Sequence, residues 1–525
     1  MLGHTERVRP RIRPRTAARS AAARLTAVRL ARLTAARLAE VPSAPVQSAL
    51  VQPAAVRSAP VRSAAVRVVA ALAVAVSVVA CTTAIPGQPT SQGSVVSHDD
   101  PDAQGGVDPS FVENTDDGEI DRLAATVITD LRVFWGERFP AAFGKRFDDL
   151  HGGYHSVDTA DAESEAPPCA ESSVEVEGNA FYCPTADVIA WDRAALLPVL
   201  RDRFGEAAVM LVLAHEMGHA VQNRTGAGLS DRKANPGRFP TILIEAMADC
   251  YAGSFVRWVA DGKAEHLDIA KERLDSALES LISFRDPIGT EQTDRGAHGD
   301  AFDRVSAFQD GYEQGVELCA GMTVENRTFT LSGFIDAGDQ ARGGNLRFDQ
   351  MVESITPGLN TYFSGLLGSA GKQWAEPTVR AVADAPDCTG AEQGPVAFCP
   401  DGRVVELDTG KELPAIHTDI GDYATATLMA SRYALAALSA AGKPLDGEDA
   451  RKSVVCLSGA FTGSLFVARQ RFLSPGDLDE AVQVLLDYDY AARDAKGQSI
   501  GAGFDRVTAF RRGFTQGGGK CGITG

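Results

Sequence analysis

His215, Glu216 and His219 lie in the stretch LAHEMGHAV at 213–221 and bring together two imidazoles and a carboxylate. On a helix, residues four apart share a face, so both imidazoles can point at one metal ion. Glu216 sits beside them, where a carboxylate can act as base toward a water. The same spacing also fits a core helix with two satisfied histidines, so the pattern needs further ligands before it means chemistry. A catalytic zinc takes three protein ligands and keeps one position open. The stretch TILIEAMADCYAGSFVRWV at 241–259 offers Glu245 and Asp249, again four apart. Their neighbours Ile242, Leu243, Ile244, Ala246, Met247 and Ala248 are apolar, which argues against an ordinary solvated acidic face. Glu245 is the candidate third ligand. Asp249 is the candidate acceptor for the free ring N–H of a ligand histidine, His215.

Two helices must position these groups. Residues 206–223, EAAVMLVLAHEMGHAVQN, are apolar with few breaks, and Gly226 and Gly228 follow, which predicts a buried helix with a C-terminal stop. Residues 241–259 predict the second helix.

The chain also repeats itself. AFDRVSAFQDGYEQGVELCAG, ending at Gly321, aligns with GFDRVTAFRRGFTQGGGKCGI, ending at Ile523. NAFYCP at Cys183 aligns with VAFCP at Cys399, and ADCYAGSF at Cys250 with VVCLSGAF at Cys456. The eight cysteines after Cys81 fall into two sets of four, and an even count in an exported chain points to disulfides. Repeat symmetry predicts Cys169–Cys183 with Cys250–Cys319, then Cys388–Cys399 with Cys456–Cys521.

With Cys183 set on Cys399, LVLAHEMGHAV falls on TLMASRYALAA without a gap. His215 becomes Ser431, Glu216 becomes Arg432 and His219 becomes Leu435. Counted back from Cys456, Glu245 falls on Arg451 and Asp249 on Val455. All five chemical positions change while the Cys, Gly and Phe-Asp-Arg positions persist. The second copy is therefore expected to keep the fold without the metal, for packing, substrate presentation or partner binding. The same comparison nominates His298. Ala297-His298-Gly299 aligns with Ser499-Ile500-Gly501, so the histidine is lost and the glycine kept. His298 is a candidate donor to a developing oxyanion, set against a loop-capping role. Asp303 and Arg304 persist in both copies and are expected to form a structural ion pair. His151, His155, His266 and His417 have no partners at ligand spacing.

Residues 1–80 hold thirteen arginines and two acids, Glu6 and Glu40, so the body is more acidic than the overall charge of −18 suggests. An acidic body argues against nucleic acid as a partner. The low-complexity leader cannot build a core. Its end, VVAALAVAVSVVA at 68–80, is too short to span a bilayer and fits the apolar part of a signal peptide. Val78-Val79-Ala80-Cys81 resembles the lipobox of bacterial lipoproteins, which makes Cys81 a candidate lipidation site and membrane anchor. Residues 81–115 read as the lipidated cysteine and a flexible tether.

AFYCPTADVIAWDRAALLPVLRDRFGEAAVMLVLAHEMGHAVQNRTG, then EAMADCYAGSF, then HGDAFDRVSAFQDGYEQG, resembles the putative neutral zinc metallopeptidase family, of the HExxH…E gluzincin type. The resemblance covers about residues 116–322. It implies Zn2+ held by His215, His219 and Glu245, Glu216 as base, Asp249 in support, and AFYCPTADVIAWD as a strand holding extended substrate by edge pairing. The expected fold is mainly α with a small β-sheet, of α+β class and zincin-like. The expected layout is 1–80 leader and signal peptide, 81–115 anchor and tether, 116–322 peptidase domain, 323–345 connector and 346–525 degenerate copy. The expected function is hydrolysis of a peptide or protein substrate at the outer face of a bacterial membrane. A zinc-containing but inactive surface binder, or a cell-envelope amide hydrolase, are the alternatives.

Overall fold

A computed structural model of the chain describes residues 106–523, apart from 295, 388–389 and 468–471. The leader, the apolar run and Cys81 lie outside the described residues. The first half contains β1 (Val112–Glu113), α1 (Glu119–Phe143), β2 (Gly153–Val157), β3 (Ala180–Cys183), β4 (Val188–Asp192), α2 (Leu196–Phe204), α3 (Glu206–Thr225), α4 (Leu229–Ala234), α5 (Thr241–Ala260), α6 (Leu274–Ser283), α7 (Ala301–Gln314) and α8 (Val316–Ala320). The second half contains α9 (Ala337–Ala341), α10 (Phe348–Ser369), β5 (Thr378–Val382), β6 (Val396–Cys399), β7 (Val404–Asp408), α11 (Glu412–Asp419), α12 (Asp422–Ala441), α13 (Glu448–Val467), α14 (Asp477–Asp487) and α15 (Gly503–Gln516). Helices dominate, and the small sheets fit the α+β expectation. Among the described residues no helix is long and apolar enough to cross a membrane.

The first sheet runs β1-β2-β4-β3, with β1, β2 and β4 parallel and β3 antiparallel at one edge. The second runs β5-β7-β6 with the same senses, β5 parallel to β7 and β6 antiparallel at the edge. Both hairpins turn through a non-glycine residue in the left-handed region, Asp187 at φ 56° and Arg403 at φ 54°. AFYCPTADVIAWD is thus a β3–β4 hairpin rather than one strand, because Pro184 to Asp187 reverse the chain. The end of the expected tether is also structured. Asp108 caps a short 3-10 turn at Pro109–Phe111, and buried Val112 pairs with Tyr154 of β2. Phe111 and Val112 supply the apolar contact that the surrounding polar residues conceal. The expected connector packs too. Phe329 and Leu331 are buried, and Asp303 accepts from Thr330 N and Leu331 N at 2.8 and 3.1 Å.

The unbroken apolar run Ala207 to Ala214 buries the first half of α3, and the helix ends where Gly226 turns left-handed at φ 90°. It lies against α5, which is buried along nearly its whole length. Gly218, between the two histidines, permits that approach: a Cβ there would stand 3.1 Å from Ala248 Cα. α5 in turn crosses α7 where Gly253 faces the Phe308 carbonyl and Gly311 faces the Cys250 carbonyl, and a Cβ on either would collide. Gly459 against Phe510 and Gly513 against Cys456 make the same crossing between α13 and α15. The bridges Cys169–Cys183, Cys250–Cys319 and Cys456–Cys521 are those the repeat predicts, and Cys388 lies outside the described residues.

The halves meet through α7 and α15, and two kinds of contact occur twice with roles exchanged. Phe302 packs on Phe514 at 4.6 Å between ring centroids, and Tyr312 on Phe504 at 4.9 Å. Asp479 of α14 accepts from Ala301 N at 2.7 Å at the start of α7. Asp275 of α6 accepts from Gly503 N and Phe504 N, both at 2.7 Å, at the start of α15. Such reciprocal contacts are the mark of an approximate two-fold axis.

Candidate metal centre

α3 and α5 bring His215, His219 and Glu245 together. The two Nε2 atoms are 3.1 Å apart, and Glu245 Oε2 stands 3.2 Å from one and 3.4 Å from the other. The hydrogen bonds behind the rings fix which nitrogens carry protons. Asp249 Oδ1 accepts from His215 Nδ1 at 2.7 Å, as expected. Gln222 Nε2 donates to Ile244 O at 2.6 Å, so its Oε1 faces His219 and accepts from Nδ1 at 3.0 Å. Both Nε2 atoms therefore present lone pairs, and Glu245 adds a carboxylate oxygen. Three acceptors this close repel unless a metal ion or a proton lies among them. Two imidazoles and one carboxylate match the donor set zinc takes in open catalytic sites.

Asp249 is wholly buried. Burial would raise its carboxyl, but Arg304 and His215 hold it down at about 2. Arg304 donates to Asp249 Oδ2 from Nε at 2.9 Å and to Oδ1 from Nη2 at 2.8 Å, and to Phe284 O from Nη1 at 2.8 Å. The expected Asp303–Arg304 ion pair is thus not what forms. Consecutive helical residues point in different directions, so Asp303 turns to Thr330 and Leu331 while Arg304 turns to the metal centre. Sequence reasoning missed Arg304 here, and missed Gln222, although Gln222 lies three residues after His219 on the same face.

Glu216 Oε2 accepts from Tyr182 N of edge strand β3 at 2.8 Å. Burial raises the Glu216 carboxyl above its ordinary value, against the pull of His215 and His219. Tyr182 OH donates to Asp187 and accepts from Asn223 Nδ2. Glu216, the three candidate ligands, Ala180 to Tyr182 and His298 all line one cleft of about 510 Å³. His298 is half-exposed at its mouth. Its backbone N donates to Asp286 Oδ2 at 2.7 Å, and its Nδ1 lies 3.2 Å from Asp286 Oδ1. Asp286 also accepts from Gly299 N at 2.9 Å. As expected, the other histidines stand apart: His266 pairs with Asp130, His151 with Asp187, His155 reaches Gly152 O and His417 reaches Leu346 O.

The aligned positions of the second half hold no such centre. Arg432, at the position of Glu216, is 1% exposed. It donates to Ser431 Oγ, Gln393 Oε1, Tyr490 O and Arg493 O at 2.8 to 3.1 Å. Burial and the nearby Arg493 push its guanidinium down to about 9. Arg451, at the position of Glu245, pairs with Asp494 at 3.1 Å.

Comparison with known proteins agrees with this chemistry. Uncharacterized proteins of Mycobacterium bovis and of two strains of Mycobacterium tuberculosis are each 30% identical to this chain over 164 residues, 28% of this chain and 55% of each relative. The chain thus spans about half the length of the curated relatives it matches. No solved structure matches. Over residues 63–320, which include every residue of the candidate centre, the chain matches the family described as putative neutral zinc metallopeptidase.

Proposed function

We propose that the chain is a zinc-dependent metalloendopeptidase whose first half does the chemistry and whose second half is a copy that has lost it. The observation that carries this reading is the convergence of two Nε2 lone pairs and Glu245 Oε2, with both Nδ1 atoms already committed as donors. His215, His219 and Glu245 would hold the zinc. When bound, zinc would supply the Lewis acid that polarises a carbonyl and acidifies a water. Glu216 would take a proton from the attacking water and pass it to the leaving amine. Arg304 and Asp249 would hold His215 in the tautomer that ligates. His298 would stabilise charge on the carbonyl oxygen. Asp286 Oδ1, 3.2 Å from its Nδ1, would orient the ring toward the cleft. The β3 edge would hold an extended substrate by strand addition.

The substrate is a peptide or protein, and the protein would act outside the cytoplasm, anchored to a membrane through lipidated Cys81. The sequence at 68–81 and the disulfides support that placement. Purified full-length protein should carry one zinc per chain and cleave members of a peptide library. Glu216→Gln should keep the zinc and lose roughly 10³-fold in turnover. A zinc-loaded wild type that cleaves no peptide would overturn the enzyme reading.

A further inference from the structure

The second half holds a buried cluster of carboxylates with no counterpart in the first. Asp422 opens α12, and Asp477 and Glu480 lie in the first turn of α14. One oxygen from each lies within 4.8 Å of the other two, and all three residues are buried. A backbone N–H orients each one. Leu346 N donates to Asp422 Oδ2 at 2.6 Å, Ser474 N to Asp477 Oδ2 at 2.8 Å and Tyr423 N to Glu480 Oε2 at 2.7 Å. The other oxygen of Asp422, Oδ1, is buried without any hydrogen-bond partner, on a side chain whose residue is only 2% exposed. An ionised oxygen in that state is costly unless a cation or a proton sits against it. Among the described residues no lysine, arginine or histidine pairs with any of the three. The approach is also built into the backbone: a Cβ on Gly421 would run into the Glu480 carboxylate.

The donors are all carboxylate oxygens, with no nitrogen or sulfur among them. That set selects a hard cation over zinc. Calcium accepts irregular arrangements of six to eight oxygens, whereas magnesium demands a near-ideal octahedron. We propose that Asp422, Asp477 and Glu480 bind a calcium ion. Asp422 and Asp477 also line a cavity of about 720 Å³, which gives the ion an entry path and room for the waters that complete its shell. With Leu274 set on Leu478, as the paired caps Asp275 and Asp479 require, the corresponding first-half residues are Glu206, Arg273 and Ser276. Glu206 and Arg273 are exposed there. The site is therefore an acquisition of the second half. It ties the start of α12 to α14, whose Asp479 reaches the first half. The inference does not depend on the peptidase reading.

Chelator-stripped full-length protein, titrated with CaCl2 by calorimetry, should take up one ion per chain. Its Tm should rise by about 5 °C at a calcium concentration about 100 times the dissociation constant. The response should persist in His219→Ala, which removes a zinc ligand, and vanish in Asp422→Asn. A wild type that gives no heat and no change in Tm overturns the proposal, and so does a response that survives Asp422→Asn or disappears in His219→Ala. If the three carboxylates share protons instead, the wild type will ignore calcium and Asp422→Asn will be the more stable protein. Glu480→Gln replaces Asp422→Asn if that variant does not fold, with the same outcomes.

Discussion

Helices α3 and α12 are both twenty residues long and almost fully buried. Each begins after a glycine with positive φ, Gly205 at 79° and Gly421 at 144°, and each ends on a left-handed glycine, Gly226 at 90° and Gly442 at 71°. Each lies beside the edge strand of a small sheet. The difference lies in what meets that strand. In the first half Tyr182 N donates to Glu216, and a cleft runs along the edge. In the second half the aligned Phe398 N donates to Gln393 Oε1, and Gln393 Nε2 donates to Phe398 O, both at 3.0 Å. One side-chain amide thus makes the two bonds that a residue of an added strand would make. Gln393 is held in turn by Arg432, which stands at the position of Glu216. The second half closes its own edge with Gln393 and with the residue that stands where the first half holds Glu216. That closure argues against substrate presentation by the second half, and under the proposed function it singles out the open β3 edge as the one that would hold substrate.

The largest expected break in this comparison is Asp249→Asn. The variant weakens the acceptor behind His215 and leaves the buried Arg304 guanidinium without its counter-ion. Val455 stands at the aligned position in the second half and carries no such load. Zinc affinity should fall about 10- to 100-fold. Stability should fall by about 3 kcal/mol, because removing one partner strands a buried charge. Zinc competition with a chromophoric chelator and urea unfolding would measure the two effects. Unchanged zinc affinity would remove Asp249 from the centre and leave it a purely structural partner of Arg304.

A smaller pair of changes separates the two halves through their shared axis. Asp275→Ala and Asp479→Ala each delete one helix cap, and each should cost about 1 kcal/mol. Only Asp479 continues toward the cleft. Its Oδ2 pairs with Arg285 Nε at 3.0 Å, and Arg285 precedes the Asp286 that holds His298 and Gly299. Under the proposed function Asp479 would act as a positioning residue, and Asp479→Ala should lower kcat severalfold at nearly constant KM. Asp275→Ala should leave kcat alone. Equal kinetics in the two variants would mean that the second half only stabilises the first.

The legible part of the centre was the part encoded by local spacing. Two turns of helix placed His215 with His219 and Glu245 with Asp249, and an apolar setting implied that both pairs were buried. Tyr182 contributes a backbone N–H, which no residue type announces. Arg304 was hidden by the comparison that exposed the others. Its counterpart Arg506 binds the carbonyls of Leu485 and Leu486 near the end of α14, as Arg304 binds Phe284 O just after α6. A residue with a fold role in both halves persists in both, even when one half has also given it a carboxylate to hold. The reciprocal packing of α7 on α15 was unreadable for a different reason. Repeat alignment shows that two segments are alike and says nothing about whether they touch.

The smallest expected effect lies on that shared face and concerns pH. Glu279 of α6 is partly buried, and burial, Asp487 of the other half and Asp275 of its own helix push its carboxyl up to about 7, against the opposing charge of Arg203. Between the ordinary carboxylate range and pH 7 the native state then binds more protons than the unfolded chain. This contribution to stability is fully present below about pH 4.5 and is lost as pH rises through about 7. Glu279→Gln stays neutral throughout and removes the repulsion between the halves. Because the side chain is partly exposed, solvent screening reduces the effect to about 0.5 kcal/mol. Urea midpoints at pH 5 and pH 8 should show the variant close to wild type at the lower value and more stable at the higher. A variant whose midpoint moves with pH just as the wild type's does would show that Glu279 and Asp487 do not repel across the axis, and that the two halves meet there without electrostatic cost.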